Sequence, residues 1–145
     1  MDMAIVRLTK ELKMCIDKFN DVCEFALIND NILEWIVTVT HPNRFKERFG
    51  RSTLTVLVSI PKAYPFSAPN IMFKPGLFHP NVDARSGKMC VDLLSDWKPS
   101  YSMIALIESI INLISNPNLH DPVNIEASKL WNDRITFAKR NKAMY

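Results

Sequence analysis

The chain has 145 residues, a length that one compact domain spanning 1–145 accounts for. Hydrophobic residues make up 48% and charged residues 23%, so there is ample apolar material for a core, and disorder is disfavoured. No apolar run approaches the roughly 20 residues that cross a bilayer, and a net charge of +3 is too small to mark a nucleic-acid binder. The opening MDMAIVRLTKEL has no apolar signal core and does not read as a secretory signal. Three cysteines, Cys15, Cys23 and Cys90, form no CxxC pair. That argues against a disulfide framework and a structural zinc site, and for a reducing compartment, the cytoplasm first and the nucleus second.

Residues 3–18 predict an amphipathic helix. Ile5, Leu8, Leu12, Cys15 and Phe19 fall at 3-4-3-4 spacing, and Arg7, Lys10, Lys13 and Lys18 lie opposite. CEFALI from Cys23 alternates as a strand, with Cys23 as a core residue like Cys15. LEWIVTVT (33–40), STLTVLVSI (52–60) and NIMF (70–73) predict three more strands. NDN at 29–31, HPNRFKERFGR at 41–51 and a proline-rich stretch at 61–69 read as short polar connections, which predicts an antiparallel meander. Between 74 and 100 regular periodicity disappears, and Pro75, Gly76, Pro80, Gly87 and Pro99 punctuate the stretch. So long an irregular segment in a compact domain usually carries function. SMIALIESIINLIS (102–115) is apolar on most sides and predicts a central, buried helix that Pro117 ends. Asn124 is placed to cap a helix over 125–131, and Asp133 another over 134–143. The plan is α+β: an N-terminal helix, a four-stranded antiparallel meander and C-terminal helices.

The chemistry-bearing residues gather in the irregular stretch. Cys90 has Lys88 two residues before it and Asp92 two after, with no amphipathic element to bury it; such a thiol is a candidate nucleophile. Asn81, nine residues earlier, is either a neutral donor for a developing oxyanion or a turn stabiliser. A protease-like pairing of His79 with Cys90 is disfavoured, because the base would share its nucleophile's loop and stand directly before a proline. The same His-Pro-Asn tripeptide recurs at 41–43 with no cysteine nearby, so by itself it says little. With only three glycines there is no phosphate-cradling loop, and neither a cofactor nor a metal is expected. A tight Tyr64-Pro65 pair is a candidate cis bond.

The combination is more specific than any part. Tyr64-Pro65, His79-Pro80-Asn81, Gly87-x-x-Cys90-Val91-Asp92-Leu93-Leu94, Trp97-x-Pro99, Asn116-Pro117 and Asp121-Pro122 occur in that order. This resembles the ubiquitin-conjugating enzyme family, closely over 64–124 and more loosely before. The resemblance implies that Cys90 accepts ubiquitin, or a ubiquitin-like modifier, as a thioester from an activating enzyme and passes it to a substrate lysine, usually with a ligase. It implies an oxyanion-stabilising or loop-stabilising Asn81 and an Asp121 that orients or deprotonates the lysine. Pro65, Phe66, Trp97 and Pro99 match the ligase-docking surface, and Arg7 and Lys10 match the helix face where activating enzyme and ligases bind. A monomer acting without nucleic acid or membrane is expected. The 41–51 connection lacks the usual Gly-Gly pair, and the Asn81-to-Cys90 interval is one residue longer than in many members. Asp96-Trp97-Lys98-Pro99 is similar to the neddylation branch, and Ser86-Gly87-Lys88 to peroxisomal members. Ubiquitin is the first expectation for the modifier; a neddylation-type modifier or a non-catalytic interaction variant are the alternatives.

Overall fold

The computed structural model describes residues 2–144, apart from the side chains of Pro42 and Asn43. Helix α1 (Met3–Lys18) begins where Asp2 Oδ1 accepts the Ala4 amide at 2.8 Å. Its buried face is Ala4, Leu8, Glu11 and Cys15, continued by Phe19 beyond the helix. This corrects the predicted stripe, since Ile5 is 45% exposed and Leu12 only half-buried. The face is rotated because it includes a carboxylate. Glu11 is held in the core by the Tyr64 hydroxyl (2.7 Å) and by Arg7 Nε (3.0 Å), and hydrophobic spacing alone cannot see that.

The strands β1 (Cys23–Ile28), β2 (Asn31–Thr40), β3 (Thr53–Ser59) and β4 (Asn70–Phe73) form one antiparallel sheet in chain order, as the meander predicts. Asn29 and Asp30 both take positive φ (53° and 58°), which suits a tight β1–β2 hairpin turn. Trp35, Val37, Val39, Leu54, Val56, Val58, Ile71 and Phe73 line one face of the sheet and build the core against Leu8 and Cys15 of α1. Helix α4 (Met103–Ser115), capped by Ser102 Oγ on the Ala105 amide, adds Met103, Leu106, Ile107, Ile110 and Ile114.

The 41–51 segment is not a polar connection. It holds helix α2 (Pro42–Phe49), with proline in its first turn and Gly50 at φ 76° closing it. Phe45 and Phe49, an i, i+4 pair, are both buried, and α2 packs on α6 (Arg134–Lys142). Two large apolar residues among eleven are too faint a signal, and the helix they bury against lies some 90 residues on. Asp133 caps α6, and Asn124 caps α5 (Ile125–Leu130), both as expected. The 74–100 stretch holds a single helical turn, α3 (Asp92–Ser95), and two isolated bridges, Met72 to Lys88 and Val82 to Met89. Tyr64-Pro65 is cis, as is Lys74-Pro75.

Candidate active site

The centre of the site is a buried tripeptide. His79 is fully enclosed. Its Nδ1 accepts the Asn81 amide at 3.0 Å, so the ring proton sits on Nε2. Nε2 in turn donates to the Leu113 and Ile114 carbonyls at the end of α4, 3.1 Å to each. Burial pushes the His79 pKa down to about 4, so the ring is neutral near pH 7. Phe49 of α2 stacks on it at 6.3 Å, and Trp131 meets it edge-on at 5.7 Å. A neutral ring with both nitrogens committed is a brace, not a base.

Three segments hang on that tripeptide. The Asn81 carbonyl accepts the Cys90 amide at 2.9 Å. The Asn81 carboxamide grips the Asn118 backbone twice, Nδ2 donating to its carbonyl and Oδ1 accepting from its amide, each at 2.9 Å. The Pro80 carbonyl accepts the Val123 and Asn124 amides at 2.8 and 3.0 Å. The tripeptide thereby sets the thiol loop beside the 118–124 loop. Asn81 Nδ2 carries a second hydrogen that the Asn118 carbonyl does not use.

Cys90 is exposed, whereas Cys15 and Cys23 are buried. It shares a cleft of about 300 Å³ with Asn81, Asp92, Asn112, Asn118 and Asp121. Asp92 and Asp121 are both exposed carboxylates on that cleft. The structure therefore brings Cys90, Asn81 and Asp121 together, although nine and thirty-one residues separate the two partners from the cysteine. Sequence reasoning named neither Asn118 nor Asn112 for the site, and no local pattern marks them. It also missed Asn141, fully buried on α6, whose carboxamide accepts the Phe78 amide and donates to the Phe78 carbonyl, 3.0 Å each. A polar residue one turn after buried Phe137 on a helix was the available signal. Among the described residues no cluster of His, Cys, Asp or Glu could hold a metal ion.

The residues expected at a docking surface also meet. Trp97 Nε1 donates to the Pro65 carbonyl at 2.7 Å, and its ring packs between Tyr64 and Tyr101. Phe66 stands 78% exposed beside them, and Pro99 is exposed. Lys10 is exposed on α1, but Arg7 is only partly so. Its guanidinium donates to the Pro99 carbonyl at 2.9 Å and to the Tyr101 carbonyl, so it ties α1 to this loop.

The family model for ubiquitin-conjugating enzymes matches residues 7–145. A ubiquitin-conjugating enzyme E2 2 from Candida albicans is 34% identical over 113 residues, which is 77% of this chain and 62% of that protein. A ubiquitin conjugating enzyme E2 B from Dictyostelium discoideum is 28% identical over 94% of this chain and 91% of its own length. The crystal structure of a candidate ubiquitin conjugating enzyme from Plasmodium yoelii superposes with a TM-score of 0.80 at 26% identity, covering 99% of this chain and 94% of that one. The α+β fold is thus matched in sequence and in shape. The chain belongs to the ubiquitin-conjugating enzyme family and is a transferase.

Proposed function

We propose that Cys90 carries ubiquitin as a thioester and hands it to a lysine amine. The observation that supports this most is the contrast between one exposed thiol, seated in a cleft with an amide and two carboxylates, and two thiols sealed in the core. In loading, Cys90 Sγ attacks the carbonyl of the modifier's thioester on the activating enzyme, and the activating enzyme's thiol leaves. One thioester replaces another, so the step needs neither nucleotide nor metal. In discharge, a lysine nitrogen attacks the same carbonyl and negative charge develops on its oxygen. The free hydrogen of Asn81 Nδ2 can meet that charge. Asp121 and Asp92 at the rim hold the incoming ammonium and take up its proton. Cys90 then leaves as the thiol.

Ubiquitin, an activating enzyme and a ligase are the partners this reading requires. Phe66, Pro65, Trp97 and Pro99 supply the ligase face, and Lys10 on α1 offers a cation to the activating enzyme. Three unpaired thiols fit action in the cytoplasm or nucleus.

Incubation with activating enzyme, ATP and ubiquitin should give a reductant-sensitive adduct. Cys90→Ser should convert it to a reductant-resistant ester or abolish it. An adduct that persists on Cys15 or Cys23 overturns the assignment. Asn81→Ala should slow discharge to free lysine by 10-fold or more while slowing loading less; equal slowing would leave Asn81 as a loop brace only. Running the same assay with activating enzymes for other modifiers tests the neddylation alternative.

A further inference from the structure

The positive charge of this chain is segregated. Residues 42–51 and 129–145, the α2 and α6 segments that pack together, contain nine lysines and arginines against two carboxylates, Glu47 and Asp133. The rest of the chain contains nine against thirteen. A net charge of +3 therefore conceals a strongly basic layer on an otherwise acidic molecule.

Within that layer lies a cleft of about 330 Å³ lined by Arg44, Glu47, Arg48, Ser115, Asn116 and Arg134. Among the described residues none of the three arginines lies within ion-pair distance of a carboxylate. Arg48 is pre-positioned, with its guanidinium 3.5 Å from the centre of the Trp131 ring and donating to the Trp131 carbonyl at 2.5 Å. Glu47 shares the cleft but is ion-paired with none of them, so three guanidinium groups face one carboxylate, and the excess positive charge costs free energy that an anion recovers. A carboxylate has two oxygens and is satisfied by one guanidinium fork. A phosphomonoester brings three oxygens and nearly two charges, which suits the exposed Arg44 and Arg134, the donors of Arg48 not used by Trp131, and the Ser115 hydroxyl.

Shared walls link the cleft, through a neighbouring groove, to the Cys90 site. Asn112 lines both the thiol cleft and an apolar groove of about 360 Å³. Arg44, Phe45, Ser115 and Asn116 line both that groove and the arginine cleft. Among the described residues the aromatic rings of the basic layer, Phe45, Phe49, Trp131 and Phe137, are buried, and these rings offer no platform on which bases could stack. We propose that the arginine cleft receives a phosphorylated side chain of the acceptor protein, whose chain runs along the apolar groove and presents a lysine to Cys90. The acceptor role rests on the thioester reading above; the anion site does not.

The probe is a fluorescent dodecapeptide pool with a lysine at one end and phosphoserine at varied spacing, compared with the same pool carrying serine. Anisotropy should show the phosphorylated pool binding at least 10-fold tighter, with that preference lost in the Arg44→Gln/Arg134→Gln variant. Both arginines are exposed, so this variant should fold and load Cys90 like the parent. Loaded enzyme should discharge onto the phosphorylated pool several-fold faster than onto the serine pool. Equal binding of the two pools, binding indifferent to the double substitution, or a 20-nucleotide RNA that outcompetes the phosphopeptides would each overturn the anion site as proposed. Equal discharge onto both pools would overturn the acceptor role. Failure of Cys90 to take up any modifier would refute the thioester reading, and with it the acceptor role, while the anisotropy result still decides the anion site.

Discussion

Three cysteines of one chemical type are separated by burial. In the core, loss of solvent pushes the thiol of Cys15 up to about 12 and that of Cys23 up to about 11, and neighbouring Glu11 adds to the effect at Cys15. Neither forms thiolate near neutrality, and the thiolate is the attacking species. Iodoacetamide at pH 7.5 should therefore add one group per native molecule, mapped to Cys90 by mass spectrometry. Comparable labelling of Cys15 would contradict the packing. His79 makes the opposite case, a histidine kept neutral. Its folded pKa of about 4 lies below the ordinary 6.5, so between those values the unfolded chain binds the extra proton. The stability this ring contributes is full above pH 6.5 and is lost as pH falls toward 4, by an amount on the order of 3 kcal/mol. Urea titrations at pH 7 and pH 4.5 should show that loss. An imidazole NMR signal for His79 that titrates near 6.5 would show the ring to be less enclosed than described.

At the level of elements, α2 is the part of this chain that reaches the site indirectly. Phe49 touches His79 on one side and Phe137 of α6, 6.0 Å away, on the other. The helix therefore clamps the tripeptide from behind. Phe49→Ala should cost about 3–5 kcal/mol in urea unfolding, whereas Arg44→Ala on the exposed side of the same helix should stay within about 0.5 kcal/mol. A small loss for Phe49→Ala would mean that α2 is held elsewhere. Glu11, Tyr64 and Arg7 make a second such link, from α1 to the loop holding Pro99 and Tyr101. Burial, together with the hydrogen bond to Glu11, holds the Tyr64 hydroxyl above its usual pKa and so in its donor form. Helix α1 and the loop with Trp97 are thereby tied across some 90 residues of sequence.

Across the whole molecule, one tripeptide carries the amide of the thiol loop, both backbone groups of Asn118 and the amides of Val123 and Asn124. These segments should open together. Native-state hydrogen exchange should give the Cys90, Val123 and Asn124 amides similar opening free energies, even though the Cys90 side chain is exposed. Asn141→Ala, which strips the partners from both backbone groups of Phe78, should lower all three together by about 1–3 kcal/mol. Independent changes would show that the loops are held separately.

Much of this architecture was legible beforehand because its causes are local. Alternation marked β1, β3 and β4, β-branched residues marked β2, Asn124 and Asp133 announced their helices, and the irregular stretch around Cys90 drew attention through its lack of period. The family motifs named Cys90, Asn81 and Asp121. The face of α1 was misjudged because Glu11 is buried by partners 53 residues away in sequence and within its own helix, not by its own hydrophobicity. Helix α2 was missed because its stability comes from α6. Sequence alone determined which residue types exist and how they repeat, and so the locally coded elements and the candidate nucleophile. Tertiary structure decided which thiol meets water, which carboxylates stand beside it, and that scattered arginines from two distant helices share a cleft. Exposure, pairing and charge density depend on distances between remote segments, and packing alone sets those distances.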